Sequence, residues 1–179
     1  MIAAATEPVK SMIVLVLNTG LRLASKGFTL LWDAVDLRRT AMTIRDAYAK
    51  IAESRVVKLN TPVRETLLRL QAAAKGPFVF STKHGQPYKS IRTVFDKACA
   101  KAGLSHVTPR DLRHTWCSWL GEKGTDDRTL QELSGWKTLK MVQRYSHTND
   151  RRKAEAVKLL EEFHNWTPNT ASEPLVAVR

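Results

Sequence analysis

Cysteine is nearly missing from this chain. Two occur in 179 residues, Cys99 and Cys117. They lack metal-ligand spacing and are too few for a disulfide framework. Both fall in helix-like stretches, so two buried free thiols and a reducing compartment are expected. Long apolar runs are also lacking. "MIVLVL" at 12–17 is the longest near the start, far short of the roughly 20 residues that span a bilayer. No small-residue cleavage pattern follows it, so no secretory signal is expected. Internal repeats and low-complexity tracts are absent, which sets aside solenoid and linker-like chains. Acidic residues are scarce: 17 Asp and Glu stand against 29 Lys and Arg, a formal net charge of +12.

That excess is not a tail. Residues 1–100 hold 16 Lys/Arg against 7 Asp/Glu, and residues 101–153 hold 11 against 6. The remainder is slightly acidic, with 2 against 4. Positive charge is therefore part of the folded body. It suits a polyanion such as nucleic acid, and it equally suits a merely basic, soluble surface. The length fits one domain with a real core, and 43% apolar with 26% charged residues is a globular composition.

Periodicity and capping signals give the elements. "EPVKSMIVLVLNTG" (7–20) reads as a buried helix closed by Gly20. Alternating β-branched and aromatic residues predict three short antiparallel strands near 31–36, 41–48 and 54–59, with Lys50 in the second turn. "TPVRETLLRLQAAAKG" (61–76) predicts a helix with Pro62 at its first position and Gly76 at its end. "PFVFSTKHGQPY" (77–88) reads as a short strand-like piece and a loop. "KSIRTVFDKACAKAG" (89–103) predicts an amphipathic helix with Ile91, Phe95, Ala98 and Ala102 on one face. "TPRDLRHTWCSWLGEKG" (108–124) opens on a capping box, Thr108 with Asp111, and predicts a core stripe of Leu112, Trp116, Trp119 and Leu120. A helix capped by Thr125 and ended by Gly135 should follow, then a short one from Thr138 and a last one over 151–164. The fold class is mainly α, as a multi-helix domain with a small three-stranded antiparallel sheet.

Candidate site residues begin with Arg110 and Arg113, which are three apart and share a helix face. Both lie in the first turn, where cations oppose the helix dipole unless an anion joins them. Phosphate fits, because free N–H groups and fork-shaped donors meet there. A solvated pair of surface arginines fits too. Arg22 after a buried helix, Lys50 in a turn, Trp136 after a glycine, and Tyr145 three and six residues beyond Val142 and Leu139 each have ordinary structural explanations.

Taken in order, "NTGLR" (18–22), "TIRDAYAKIAESRVVKLN" (43–60), "TPRDLRHTWCSWL" (108–120) and "LSGWKTLKMVQRYSH" (133–147) resemble the catalytic domain of the tyrosine recombinases, the phage integrase family. The resemblance covers roughly residues 8–160. It implies a DNA-breaking and rejoining enzyme in which Tyr145 attacks a phosphodiester, forms a 3′-phosphotyrosine and frees a 5′-hydroxyl. Bond energy is conserved in such a reaction, so neither ATP nor a metal cofactor is implied. Arg22 and Arg113 would clamp the non-bridging oxygens, Lys50 would protonate the leaving oxygen, and Trp136 would donate to the phosphate. Neighbouring cations would lower the phenol pKa.

The sequence departs from the family pattern in places. Arg110 stands where relatives usually carry histidine. Ser25 and Lys26 lie where an acid commonly braces the first arginine, and "AKIAES" lacks the usual glycine-containing turn. The resemblance further implies a catalytic domain over 1–165 and a tail over 166–179, flexible or exchanged between protomers. An N-terminal DNA-clamping domain is expected to lie outside this chain. Double-stranded DNA is the implied partner, with a homotetramer on DNA, a monomer alone, and a cytoplasmic bacterial setting. A degenerate integrase that only binds DNA is the alternative. An RNA-binding domain is disfavoured, since the strands offer few stacking aromatics.

Overall fold

The computed structural model describes residues 1–45, 54–145 and 150–163. The chain divides into two units, Met1–Ser146 and His147–Arg179. In the first unit, α1 (Val9–Thr19) is buried on nearly every side and ends at Gly20, whose φ of 61° gives the left-handed cap that the sequence predicts. A side chain there is excluded twice over, because a Cβ would sit 2.3 Å from the Trp116 ring. The bare backbone at Gly20 thus lets a distant helix lie against the end of α1.

The sheet is antiparallel in the order β1-β2-β3, with β1 at Val35–Asp36, β2 at Ala41–Arg45 and β3 at Ser54–Lys58. Its register pairs Val35 with Met42, Met42 with Val57 and Ile44 with Arg55. Met42, Ile44 and Val57 turn to the core. The first strand is shorter than predicted, because Trp32–Ala34 forms a 3₁₀ turn before pairing begins. The end of the predicted second strand, with Lys50 and the turn around it, lies outside the described residues. "PFVF" forms no strand among the described residues; Phe78 makes only an isolated bridge to Leu31.

The remaining helices follow the predicted order. They are α2 (Thr61–Ala72), α3 (Arg92–Lys101), α4 (Pro109–Glu122), α5 (Asp127–Ser134) and α6 (Lys140–Gln143), with α7 (Asp150–Phe163) in the second unit. Some caps shift. Asn60 caps α2 through the Val63 amide, which puts Pro62 second, and the helix stops before Gly76. Asp126, not Thr125, caps α5 by accepting from the Thr129 amide. Ile91, Phe95 and Ala98 are buried as expected.

Two apolar clusters hold the first unit. The larger joins α1, the sheet, α2 and α3 with Leu112 of α4. The smaller comprises Trp116, Cys117, Leu130, Trp136, Val142 and Tyr145, and so ties α4, α5 and α6 together. Trp119 is a correction to the expected core stripe: it is 50% exposed, and Cys117 and Gly121 occupy the inward face instead. Both cysteines are free and buried. Among the described residues no helix is long and apolar enough to cross a membrane.

Candidate active site

The N-terminus of α4 organises the site. Thr108 donates its backbone N–H (2.8 Å) and its hydroxyl (2.7 Å) to one carboxylate oxygen of Asp111. Those hydrogen bonds hold the Asp111 carboxyl below its usual range. The capping box fixes the start of the helix and hence the headings of the next side chains. Arg110 points outward, Arg113 inward, and His114 between them.

Arg113 is 5% exposed. Its guanidinium donates to the backbone carbonyl of Gly20 and, at 2.7 Å, to that of Ser134. These carbonyls close α1 and α5, where helix dipoles are negative. A buried cation is therefore accommodated without a carboxylate partner among the described residues. Burial, with Arg55 and Arg22 close by, lowers its pKa to about 10.

Arg55 was not anticipated. It donates to the carbonyl of Leu133, also at the end of α5. Burial and Arg22 bring its pKa down to about 10. The sequence did carry a signal. In β3 the residue shares the inward parity of Val57 and Leu59, both buried, so strand alternation turns this cation inward.

Two openings adjoin this cluster. One, of about 370 Å³, is lined by Arg22, Arg110, Arg113, His114, Trp136 and Arg144 among others. The second, of about 300 Å³, takes in Arg22, Arg55, Arg113, Ser134 and Gly135. Neither lining includes a carboxylate among the described residues. Four predicted residues, Arg22, Arg110, Arg113 and Trp136, thus meet at one cavity. Lys50 lies outside the described residues.

Tyr145 stands beside that cavity, 9% exposed. Its ring stacks on Trp136, with centroids 5.3 Å apart and planes 16° apart. Trp136 in turn carries the Arg113 guanidinium 5.0 Å from its centroid, a cation–π contact. The Tyr145 hydroxyl is hydrogen-bonded to His114 Nδ1, and the two rings lie 5.8 Å apart at 19°. The expectation of a lowered phenol pKa is overturned. Burial raises it, and Arg144 and Arg113 oppose that rise only in part. His114 and Arg144 join Arg55 as site residues that the sequence did not single out.

Gly121 sets how closely α4 approaches the tyrosine. A Cβ there would fall 2.2 Å from the Tyr145 carbonyl oxygen and 3.2 Å from its carbon. Backbone cannot swing aside as a side chain does. Alanine normally strengthens a helix by up to about 1 kcal/mol over glycine, yet here overpacking dominates. Gly121→Ala is expected to destabilise the fold by about 2 kcal/mol, seen as a fall in Tm of roughly 4–8 °C. An unchanged melt would show that α6 yields freely.

Comparison with known proteins bears on the family and the fold. The model of the phage integrase family matches residues 1–152. The integrase of Salmonella phage P22 is 31% identical over 176 residues, which takes in 91% of this chain and 45% of the relative. Tyrosine recombinase XerA of Saccharolobus solfataricus is 29% identical over 160 residues, 89% of this chain and 53% of the relative. This chain therefore spans about half the length of these two curated relatives. Among solved structures, the catalytic domain of bacteriophage HP1 integrase aligns with a TM-score of 0.66 at 21% identity, covering 93% of this chain and 92% of that one. The Tn1549 transposon integrase, solved in complex with circular intermediate DNA, aligns with a TM-score of 0.69 at 21% identity, covering 84% and 59%.

Proposed function

That the chain belongs to the phage integrase family, and carries that family's catalytic domain, is the premise from which we propose that it cuts and rejoins double-stranded DNA through a covalent 3′-phosphotyrosine. The observation that carries this reading is the convergence of Arg22, Arg110, Arg113 and Trp136, drawn from distant segments, on one cavity, with Tyr145 stacked against Trp136.

The chemistry follows from charge. A phosphodiester is anionic, and the pentavalent transition state concentrates charge on its non-bridging oxygens. Arg22 and Arg110 present exposed guanidiniums to that position. Arg113 uses donors on Gly20 and Ser134, and the rest of its five N–H groups remain for the phosphate. Trp136 offers its indole N–H. Lys50 supplies the proton for the departing 5′-oxygen. Tyr145 is the nucleophile.

Residues 1–165 form the catalytic domain in this scheme, which works as a DNA-bound tetramer; the tail over 166–179 lies outside the described residues. The test is a nicked duplex in which the cleaved strand loses a short 5′-hydroxyl fragment, so that rejoining is prevented. Protein should become covalently attached to the 3′ end of the DNA and survive denaturation. Binding without attachment would favour a module that only holds DNA.

Binding itself should be salt-dependent. The slope of log K against log[salt] is expected to be negative, at about −0.9 for each phosphate neutralised. Fluorescence titration between low and physiological salt checks it, and a slope near zero would remove the phosphate-clamp assignment.

A further inference from the structure

Tyr145 must shed a proton to attack, yet its environment favours the neutral phenol. Arg110 is permanently charged and takes no proton. The hydrogen bond between the Tyr145 hydroxyl and His114 Nδ1 supplies a route. Resting on the recombinase reading above, we propose that His114 is the general base for Tyr145 in strand cleavage and the acid that returns the proton in rejoining.

Geometry supports the role on two counts. A general base must lie within hydrogen-bond reach of the proton that it takes, and Nδ1 does so. The phenol plane also lies at 16° to that of Trp136 and 19° to that of His114. The phenol oxygen therefore meets the imidazole in the unliganded protein.

Electrostatics decide which form the imidazole takes. Arg110, Asp111 and Arg113 face it from α4, and Arg144 faces it from the residue after α6. Burial lowers the His114 pKa, with Arg110, Arg144 and Arg113 adding to the shift and Asp111 opposing it. Asp111 already accepts twice from Thr108. The ring is thus neutral near neutral pH. With its proton on Nε2, Nδ1 presents a lone pair to the phenol.

The step balances. As the Tyr145 oxygen bonds to phosphorus, its proton passes to Nδ1. The bond from phosphorus to the 5′-oxygen breaks, and that oxygen is protonated by the acid assigned to Lys50. In rejoining, an incoming 5′-hydroxyl bonds to phosphorus and gives its proton to the neutral amine assigned to Lys50, the bond from phosphorus to the tyrosine oxygen breaks, and the imidazolium returns its proton to Tyr145.

The experiment uses the full chain with His114→Asn, whose amide accepts a hydrogen bond but no proton. Single-turnover attachment to the nicked duplex is followed from pH 5 to 9. The native protein should gain rate as the imidazole loses its proton, below the ordinary histidine range, and then level off. His114→Asn should be about 10²-fold slower, with a rate that keeps climbing into alkaline pH. A duplex with sulfur as the 5′ leaving atom needs no leaving-group proton, so it should not restore the variant. Nitrogen NMR of the native protein should show the Nε2–H tautomer, and Tyr145→Phe should move the His114 pKa up. Equal rates and profiles for both proteins, or an Nδ1–H tautomer, would overturn the assignment. Absence of attachment by the native protein would instead bring down the recombinase reading, and His114's role with it. If His114→Asn unfolds, the tautomer measurement decides.

Discussion

Replacing Tyr145 by phenylalanine is expected to abolish covalent attachment to DNA while leaving the fold and DNA binding in place. The substitution removes one oxygen. The ring keeps its stacking on Trp136 and His114 and its place in the small core with Leu130 and Val142. Loss of the hydrogen bond to His114 costs about 1 kcal/mol, and the phenyl group recovers part of that through burial. Stability should therefore change by a few degrees at most. The rate should fall on the order of 10⁴-fold or more, since no other group replaces a missing nucleophile. The measurement is a denaturing gel on the nicked duplex, with DNA affinity determined in parallel. Attachment that persists in Tyr145→Phe would show that another residue attacks the phosphate.

Arg113→Lys should show the second-largest effect, because one side chain has two tasks. It bridges the carbonyls of Gly20 and Ser134, and so joins the ends of α1 and α5. It also faces the cavity that holds Arg22 and Trp136. Lysine keeps the charge, but its ammonium is a point and cannot span both carbonyls as the planar fork does. One buried carbonyl is left unpaired, at about 1–3 kcal/mol. Denaturant unfolding should then register a loss of about 2 kcal/mol. Transition-state stabilisation falls further, by about 10² to 10³ in rate. Affinity for DNA should change much less, because the charge is retained. A variant with native stability and rate would remove Arg113 from both tasks.

These expectations rest on features of unequal legibility. The Thr108–Asp111 cap could be read directly, since an N-cap and its partner lie three residues apart and depend on little else. The left-handed glycine at the end of α1 was equally local. Trp119 misled, because a helix stripe says which residues share a face and not how wide the covered part is. Its side chain lies at the edge of a face that Trp116 and Cys117 bury. Thr125 and Asp126 are both good caps, and only the amide of Thr129 decides between them. Arg22, Arg110, Arg113, Trp136 and Tyr145 are candidates from their order along the chain, and the fold brings them close. Arg55 and His114 were passed over because their partners, Leu133 and Tyr145, are remote in sequence. The phenol's raised pKa was missed for a related reason: nearby cations were visible in the sequence, whereas burial was not.

Arg55 and Arg113 grip successive carbonyls at the close of α5, Leu133 and Ser134, two residues ahead of Trp136. The indole is thereby geared to strand β3 on one side and to helix α4 on the other. A sideways slip of the sheet would drag the α5 terminus and carry the tryptophan off the tyrosine ring. A substitution in β3, far from Tyr145 along the chain, should therefore misalign that ring without touching it.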